Sequence, residues 1–162
     1  MEQLNKFHRA FGVYGLYLNE GKLLVINKNG GPYINRFDLP GGSLEEAESL
    51  TVAIKREFLE ETGIEIEVVK NTGVRDFMLP WEWREFTHVH HIGVYYLVNK
   101  VGGQLITPSQ FDGQDSLGAL WVSENEVTIH NASPLVLKAF EWLKNGELGL
   151  DVECYQRWEV KK

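Results

Sequence analysis

The chain has 162 residues, 43% of them hydrophobic and 24% charged, with a net charge of −7. These values suit a single soluble domain over residues 1–162, and the excess of acid excludes non-specific nucleic-acid binding, which needs basic patches. No apolar run approaches the roughly 18 residues that span a bilayer, and MEQLNKFHRAFG lacks the regions of a signal peptide, so no membrane partner and a cytoplasmic location are expected.

Phe11–Leu18, rich in aromatic and β-branched residues, predicts a strand; Asn19, Glu20 and Gly21 turn it into a second, KLLVINK, as a hairpin. NGGPY is a loop, and Ile34–Leu39 predicts a short strand leading into Pro40-Gly41-Gly42. A helix follows from about Ser49, its N-cap, to Thr62, with Gly63 as its stop. Ile64–Lys70 alternates like a strand, whereas Asp76–Phe86 is ambiguous because Pro80 divides two apolar patches. Thr87–Val98 is the best strand candidate, turned by Gly102 and Gly103. A long polar loop, LITPSQFDGQDSLG, leads to a short strand, ALWVS, and Ser123–Val127 opens a helical turn. Ser133–Asn145 predicts a second helix with Ser at its cap, Pro at its first position and Gly146 beyond it. The tail, VECYQRWEV, is a candidate final strand. Its Cys154 is the only cysteine, which fits a reducing compartment, and Glu153 and Tyr155 beside it give no sign of thiolate activation. Strands mixed with two main helices imply an α/β fold, with helices packed on a mixed sheet.

The first helix conflicts with its own stability. Its core stripe from Leu50 runs Leu50, Ala53, Ile54, Glu57, Phe58 and Glu61, so carboxylates interrupt the apolar face. Glu57, Glu60 and Glu61 stand at i, i+3 and i+4, where they repel one another near a helix C-terminus that already disfavours anions. A hard divalent cation, Mg²⁺ or Mn²⁺, resolves the conflict because it takes oxygen ligands and leaves positions for water and phosphate. Gly41 and Gly42 allow the backbone close to the helix, and the Gly41 carbonyl is a further candidate ligand. Arg56, about 100° around the helix from Glu57, can hold a carboxylate from the side or reach the loop.

These residues resemble the Nudix box. Gly42, Glu48, Arg56, Glu57, Phe58, Glu60, Glu61, Gly63 and Ile64 match each of its nine fixed positions over 23 residues. The resemblance implies a Nudix-type α/β/α sandwich, a mixed β-sheet with helices on both faces. It also implies Mg²⁺- or Mn²⁺-dependent hydrolysis of the pyrophosphate linkage in a nucleoside diphosphate joined to another moiety. Carried over to this sequence, Glu57 and Glu61 are the main metal ligands and Glu60 also coordinates. Glu57 is a candidate base, Arg56 orients Glu57, and Glu48 supports the site. The family's base varies and is a loop glutamate in several members; here the late loop offers Asp112 and Asp115, with Glu124 and Glu126 beyond it. Asp115 is the preferred candidate, although this loop lacks a glutamate.

Substrate signals are weaker. Tyr33, Phe37, Trp81 and Trp83 are candidate base-stacking residues, and Arg36, Arg75 and Arg84 are candidate phosphate ligands, with Arg36 nearest the box in sequence. His88 and His90 share one strand face and His91 the other, so the three are not available to one ion. Pro80, 16 residues after the box, stands near a spacing found in ADP-ribose pyrophosphatases. Nucleotide-sugar or ADP-ribose hydrolysis and nucleoside-triphosphate hydrolysis both fit, and the alternative is a non-catalytic nucleotide-binding sensor. Trp142 and Trp158 serve either a homodimer interface or the core.

Overall fold

In the computed structural model, which describes residues 4–162, apolar strand segments pair into two sheets. The strands are β1 (Phe7–Leu16), β2 (Leu18–Asn19), β3 (Lys22–Lys28), β4 (Phe37–Asp38), β5 (Gly41–Gly42), β6 (Ile64–Trp83), β7 (Phe86–Gly103), β8 (Ser116–Val122) and β9 (Glu153–Cys154). The helices are α1 (Leu50–Thr62) and α2 (Pro134–Asn145), with short 3₁₀ turns at Gly31–Tyr33 and Glu124–Glu126. The larger sheet runs β5-β1-β7-β6-β9; β1 is parallel to β7 and β9 to β6, while the other pairs are antiparallel. In the smaller sheet β3 pairs with β2, β4 and β8.

Alternation along β7 separates two cores. Val94, Tyr96 and Val98 join Val13 and the Ala53, Ile54 and Phe58 side chains of α1. Val89 and Tyr95 join Tyr14, Leu16 and the Leu135, Val136, Ala139 and Phe140 side chains of α2. The mixed sheet thus carries one helix on each face, giving the expected α/β/α sandwich. No helix of the described residues is long and apolar enough to cross a membrane.

Several elements differ from expectation. β1 starts at Phe7, four residues before the predicted Phe11, because its first half pairs with β7 from Phe7↔His88 onward. The ambiguous 76–86 stretch continues β6, which runs 20 residues through a series of register shifts. Pro80 is tolerated at the last of these, between Pro80 and Trp83, where the ladder is interrupted. Gly102 and Gly103 do not turn the chain away but pair with Glu65 and Ile64 at the end of β7. Of the predicted Ile34–Leu39 strand only Phe37–Asp38 pairs, and of the tail only Glu153–Cys154. Leu50, the first position of the predicted stripe, is exposed; Ala53, Ile54 and Phe58 carry the packing of α1.

Candidate active site

The site is built around α1. The Ser49 hydroxyl accepts a hydrogen bond from the Val52 N–H at 3.2 Å and fixes the start of the helix. Gly63 ends it in the left-handed region at φ 83°, where a Cβ would stand 2.3 Å from the Gln104 carbonyl oxygen. No basic residue lies in the last turn to offset the carboxylates there.

Glu61 is wholly buried. Its Oε1 accepts the Gly41 N–H at 2.7 Å, while Oε2 has no hydrogen-bond partner. Burial, opposed by Lys28 and reinforced by Glu57, raises its pKa well above the usual carboxylate value. Glu57 is pushed up to about 7, chiefly by burial and against the pull of Arg56. Gly42 lies so close that an added Cβ would meet the Glu57 carboxylate at 3.0–3.1 Å, so glycine is what admits Glu57 to this wall. Glu60 is more open to solvent.

Arg56 organises the rim. Its Nε and Nη2 donate to the two oxygens of Glu48 at 2.6 and 2.8 Å, Nη2 also donates to the Ser43 carbonyl at 3.1 Å, and Nη1 donates to Glu57 at 2.9 Å. The hydrogen bonds from Arg56 hold the Glu48 carboxyl down at about 2. Arg56 Nη1 also reaches Glu60 at 3.3 Å. Among the described residues no three acidic, His or Cys side chains converge as a ready-made metal cage. The donor set nevertheless suits a hard cation: oxygen ligands only, one buried oxygen without a partner, and a neighbouring carboxylate whose charge burial disfavours.

Two clefts meet here. One, about 370 Å³, is lined by Glu57, Glu60, Arg56, Phe111 and Asp112; the other, of similar volume, by Lys28, Asp38, Tyr33, His91, Trp81 and Trp83. Ser43 and Asp115 line both. The Trp81 and Trp83 rings stack at 5.5 Å with 5° between their planes, and His8 lies 4.7 Å from Trp83. Lys28 Nζ stands 3.5 Å from the Asp115 carboxylate and 4.0 Å from that of Asp38. Burial alone would lower the Lys28 pKa; Asp38, Asp115 and Glu61 carry it above its usual value. Buried Asp38 accepts hydrogen bonds from the Leu39 N–H at 2.9 Å and the Ser133 hydroxyl at 2.7 Å, which ties the cleft to the cap of α2.

The sequence-predicted residues divide accordingly. Glu48, Arg56, Glu57, Glu60, Glu61 and Gly41 come together, and Gly41 presents its N–H to Glu61. Asp115 and Asp112 border the acidic cleft, and Trp81, Trp83 and Tyr33 the aromatic one. Arg36 does not reach either cleft: it is buried on Trp158, 4.2 Å from the ring centroid, and donates to the carbonyls of Ile129, Ala132 and Glu159. Phe37 packs into the α2-side core, and its backbone bonds Asn131 and Ser133. Arg75 is buried against the Leu148 carbonyl, and Arg84 lies over Trp83. His88 and His90 bond Thr87 and Asp76 respectively, while His91 alone enters the aromatic cleft. Glu124 and Glu126 lie in the 3₁₀ turn after β8, Glu126 capping Ser123, and line neither cleft. Trp158 is engaged within the chain, its indole N–H donating to the Pro32 carbonyl at 2.8 Å.

Sequence reasoning missed Lys28, Asp38, Tyr14 and His91 as one group. The available signal was a charge closing the apolar run LLVINK, another inside FDLP, and a histidine out of phase with its neighbours.

Fold and site together define an α/β/α sandwich with an acidic helix face opening onto an aromatic cleft. A sequence profile of the NUDIX domain matches residues 6–145, and the chain belongs to the Nudix family. It is 32% identical over 98 residues to the ADP-ribose pyrophosphatase of Methanocaldococcus jannaschii, a match covering 60% of this chain and 55% of that protein. It is 27% identical over 135 residues to the 8-oxo-dGDP phosphatase NUDT18 of Danio rerio, covering 83% of this chain and 36% of that one. The chain thus spans about half or less of the length of these relatives. Among solved structures, the MutT NUDIX hydrolase of Burkholderia pseudomallei superposes with a TM-score of 0.66 at 20% identity, covering 83% of this chain and 97% of that chain. A NUDIX hydrolase of Nitrosomonas europaea gives 0.61 at 18%, covering 96% and 82%. At these identities the structural likeness is one of fold.

Proposed function

We propose that this chain is a divalent-metal-dependent pyrophosphohydrolase, one Nudix domain cleaving the pyrophosphate linkage of a nucleoside diphosphate joined to another moiety. The observation that carries the reading is the buried Glu61 carboxylate, one oxygen without a partner, close to Glu57, which lines an acidic cleft that shares Ser43 and Asp115 with an aromatic one. The names of the two relatives, an ADP-ribose pyrophosphatase and an 8-oxo-dGDP phosphatase, support a nucleotide derivative as substrate.

Glu57, Glu60, Glu61 and the Gly41 carbonyl would hold Mg²⁺ or Mn²⁺. The chemistry supplied by such a cation is neutralisation of phosphate charge and activation of water. Arg56 fixes Glu57 and Glu48 so that the acidic wall is formed before substrate arrives. Lys28, which lines the aromatic cleft beside Asp115, is a candidate cation for phosphate, and the stacked indoles offer a flat surface for a base. Asp115 and Glu57 are the candidate carboxylates for taking a proton from water, and Lys28 Nζ lies 3.5 Å from the Asp115 carboxylate. The single cysteine accords with the expected cytoplasmic location.

The test is incubation of the purified protein with nucleoside triphosphates, ADP-ribose, nucleotide sugars, dinucleoside polyphosphates and NADH, with Mg²⁺ and Mn²⁺ in parallel and Glu61→Gln as control. Metal-dependent products absent from the variant are expected. Tight binding of one ligand without turnover of any would overturn the hydrolase reading in favour of a nucleotide sensor.

A further inference from the structure

Strand β1 is paired on both edges along only part of its length. One edge pairs with β7 from Phe7 to Leu16, and β5 takes the other at Val13 and Tyr14. From Phe7 to Gly12 no strand of the described residues takes that second edge. Successive residues of a strand turn their backbone groups to opposite sides. The Lys6 carbonyl accepts the His88 N–H of β7 at 3.1 Å, whereas the Gly15 N–H points the other way, to the Pro40 carbonyl at 2.9 Å. Even-numbered residues thus bond β7, and Phe7, Arg9 and Phe11 aim their N–H and C=O groups at the open edge. Their side chains lie on the sheet face that α1 covers only from Val13 onward. Phe7 is 43% and Phe11 37% exposed, and Arg9 between them is exposed as well.

An edge with free donors and acceptors, flanked by two exposed phenylalanines, is a template for another strand. Antiparallel pairing with β1 of a second copy satisfies both sets at once, because a two-fold axis makes the edge its own complement. Arg9 can then stand opposite residue 9, 11 or 7 of the second copy. The first register sets Arg9 against Arg9, and like charges directly opposite repel. The second sets Phe7 against Val13, whose edge is already paired with Gly42 of β5. The third sets Arg9 against Phe7 and Phe11 against Asn5, with His8 on the axis. Each arginine then lies beside an aromatic ring, and no like charges face each other across the strands.

We propose that the open half of β1 is the contact surface for a second copy of this chain, the two strands pairing antiparallel about His8 into one continuous sheet. The contact lies away from Trp142 and Trp158, which pack against the α2-side core. It bears on the ligand cleft all the same. His8 and Ala10 line the aromatic cleft from β1. In this register His8 meets its own counterpart and Ala10 meets Lys6 of the second copy, so the second copy continues the wall of that cleft. The pairing follows from the strand edge and is independent of the hydrolase reading.

The test is sedimentation velocity of the full chain over a concentration series, with Phe7→Glu and Phe7→Lys as variants and thermal melting to confirm that each is folded. The wild type should pass from 18.6 kDa to twice that mass as concentration rises. Phe7→Lys sets a cation against Arg9 at two places in each dimer and should weaken association about tenfold or more. Phe7→Glu sets a carboxylate there and should associate at least as tightly as the wild type, now with a loss on adding salt. The register is read separately by His8→Cys in a Cys154→Ser background. Residues on the axis form a non-hydrogen-bonded pair with Cα atoms about 4.5 Å apart, within disulfide range. Oxidation should therefore cross-link His8→Cys into dimers and leave Ala10→Cys monomeric on a denaturing gel. A wild type that stays monomeric overturns the proposal. So do equal effects of Phe7→Glu and Phe7→Lys, whether both abolish the dimer or neither touches it, and so does a His8→Cys chain that fails to cross-link.

Discussion

Replacing Glu61 by Gln separates the two demands on this residue. The wild-type carboxylate is held in a buried wall by one hydrogen bond, from Gly41, and its second oxygen has none. Without metal, a charge there is desolvated and repelled by Glu57 and Asp115, which is why its pKa rises. Gln keeps the Oε1 acceptor and removes the charge, so the metal-free variant should be more stable by about 1–2 kcal/mol at neutral pH. That corresponds to roughly 3–6 °C in Tm for a chain of this size. Because the folded carboxyl holds its proton to higher pH than the unfolded one, wild-type stability falls as pH rises above the usual carboxylate value of 4.5. The gap between variant and wild type should accordingly close toward pH 4 and open toward pH 8. Mn²⁺ should raise the Tm of the wild type and leave the variant nearly unmoved. Turnover should fall about 10²–10⁴-fold, equivalent to roughly 3–5 kcal/mol of lost transition-state stabilisation. Melting curves from pH 4 to 8 with and without Mn²⁺, alongside kcat, test all of this. A variant with near-normal kcat and an unchanged Tm in both conditions would refute the reasoning.

Arg56→Lys keeps the charge but loses the fork that grips both oxygens of Glu48; kcat should drop about 10–100-fold, and in metal-free protein the Glu57 wall should loosen, read as faster proteolysis of the 43–48 segment. Trp81→Ala should raise KM for a nucleotide substrate about tenfold with kcat little changed, since stacking is lost and the acidic cleft is untouched; equal falls in kcat and kcat/KM would contradict this. Gly41→Ala should destabilise by more than about 2 kcal/mol, because φ is +150° and a Cβ would meet the Val13 carbonyl oxygen at 2.0 Å; a denaturant midpoint within error of wild type would show that the backbone can move aside.

Helix α1 was legible because its signals are local: Ser49, the stripe, three glutamates and Gly63 lie within 15 residues. The β6–β7 ribbon was legible at Ile64–Lys70 and Thr87–Val98 but not between them, since burial along β6 is irregular and Pro80 interrupts its alternation, so pairing with β7 rather than residue preference carries the strand through to Trp83. The aromatic cleft was legible only in part. Trp81 and Trp83 announce themselves as large residues, but Tyr14, Lys28, Asp38 and His91 meet through the parallel pairing of β1 with β7 and the antiparallel pairing of β3 with β4, which leave no local mark. Arg36 misled for the complementary reason. It is near the box in sequence, yet its side chain turns to the opposite end of the chain.

That turn of Arg36 has a consequence for how this scaffold can diversify. Residues 155–161 lie beyond the region matched by the family profile, yet they hold the aromatic cleft from behind. Trp158 grips Pro32, Asn35 donates to the Lys161 carbonyl, and Glu159 receives Arg36. The Gly31–Tyr33 turn, which lines the aromatic cleft, is therefore seated on the carboxy-terminal segment. Changes in that segment can reshape the ligand cleft while leaving every box residue in place, so the part of the protein least constrained by its catalytic signature is also the part best positioned to alter what it admits.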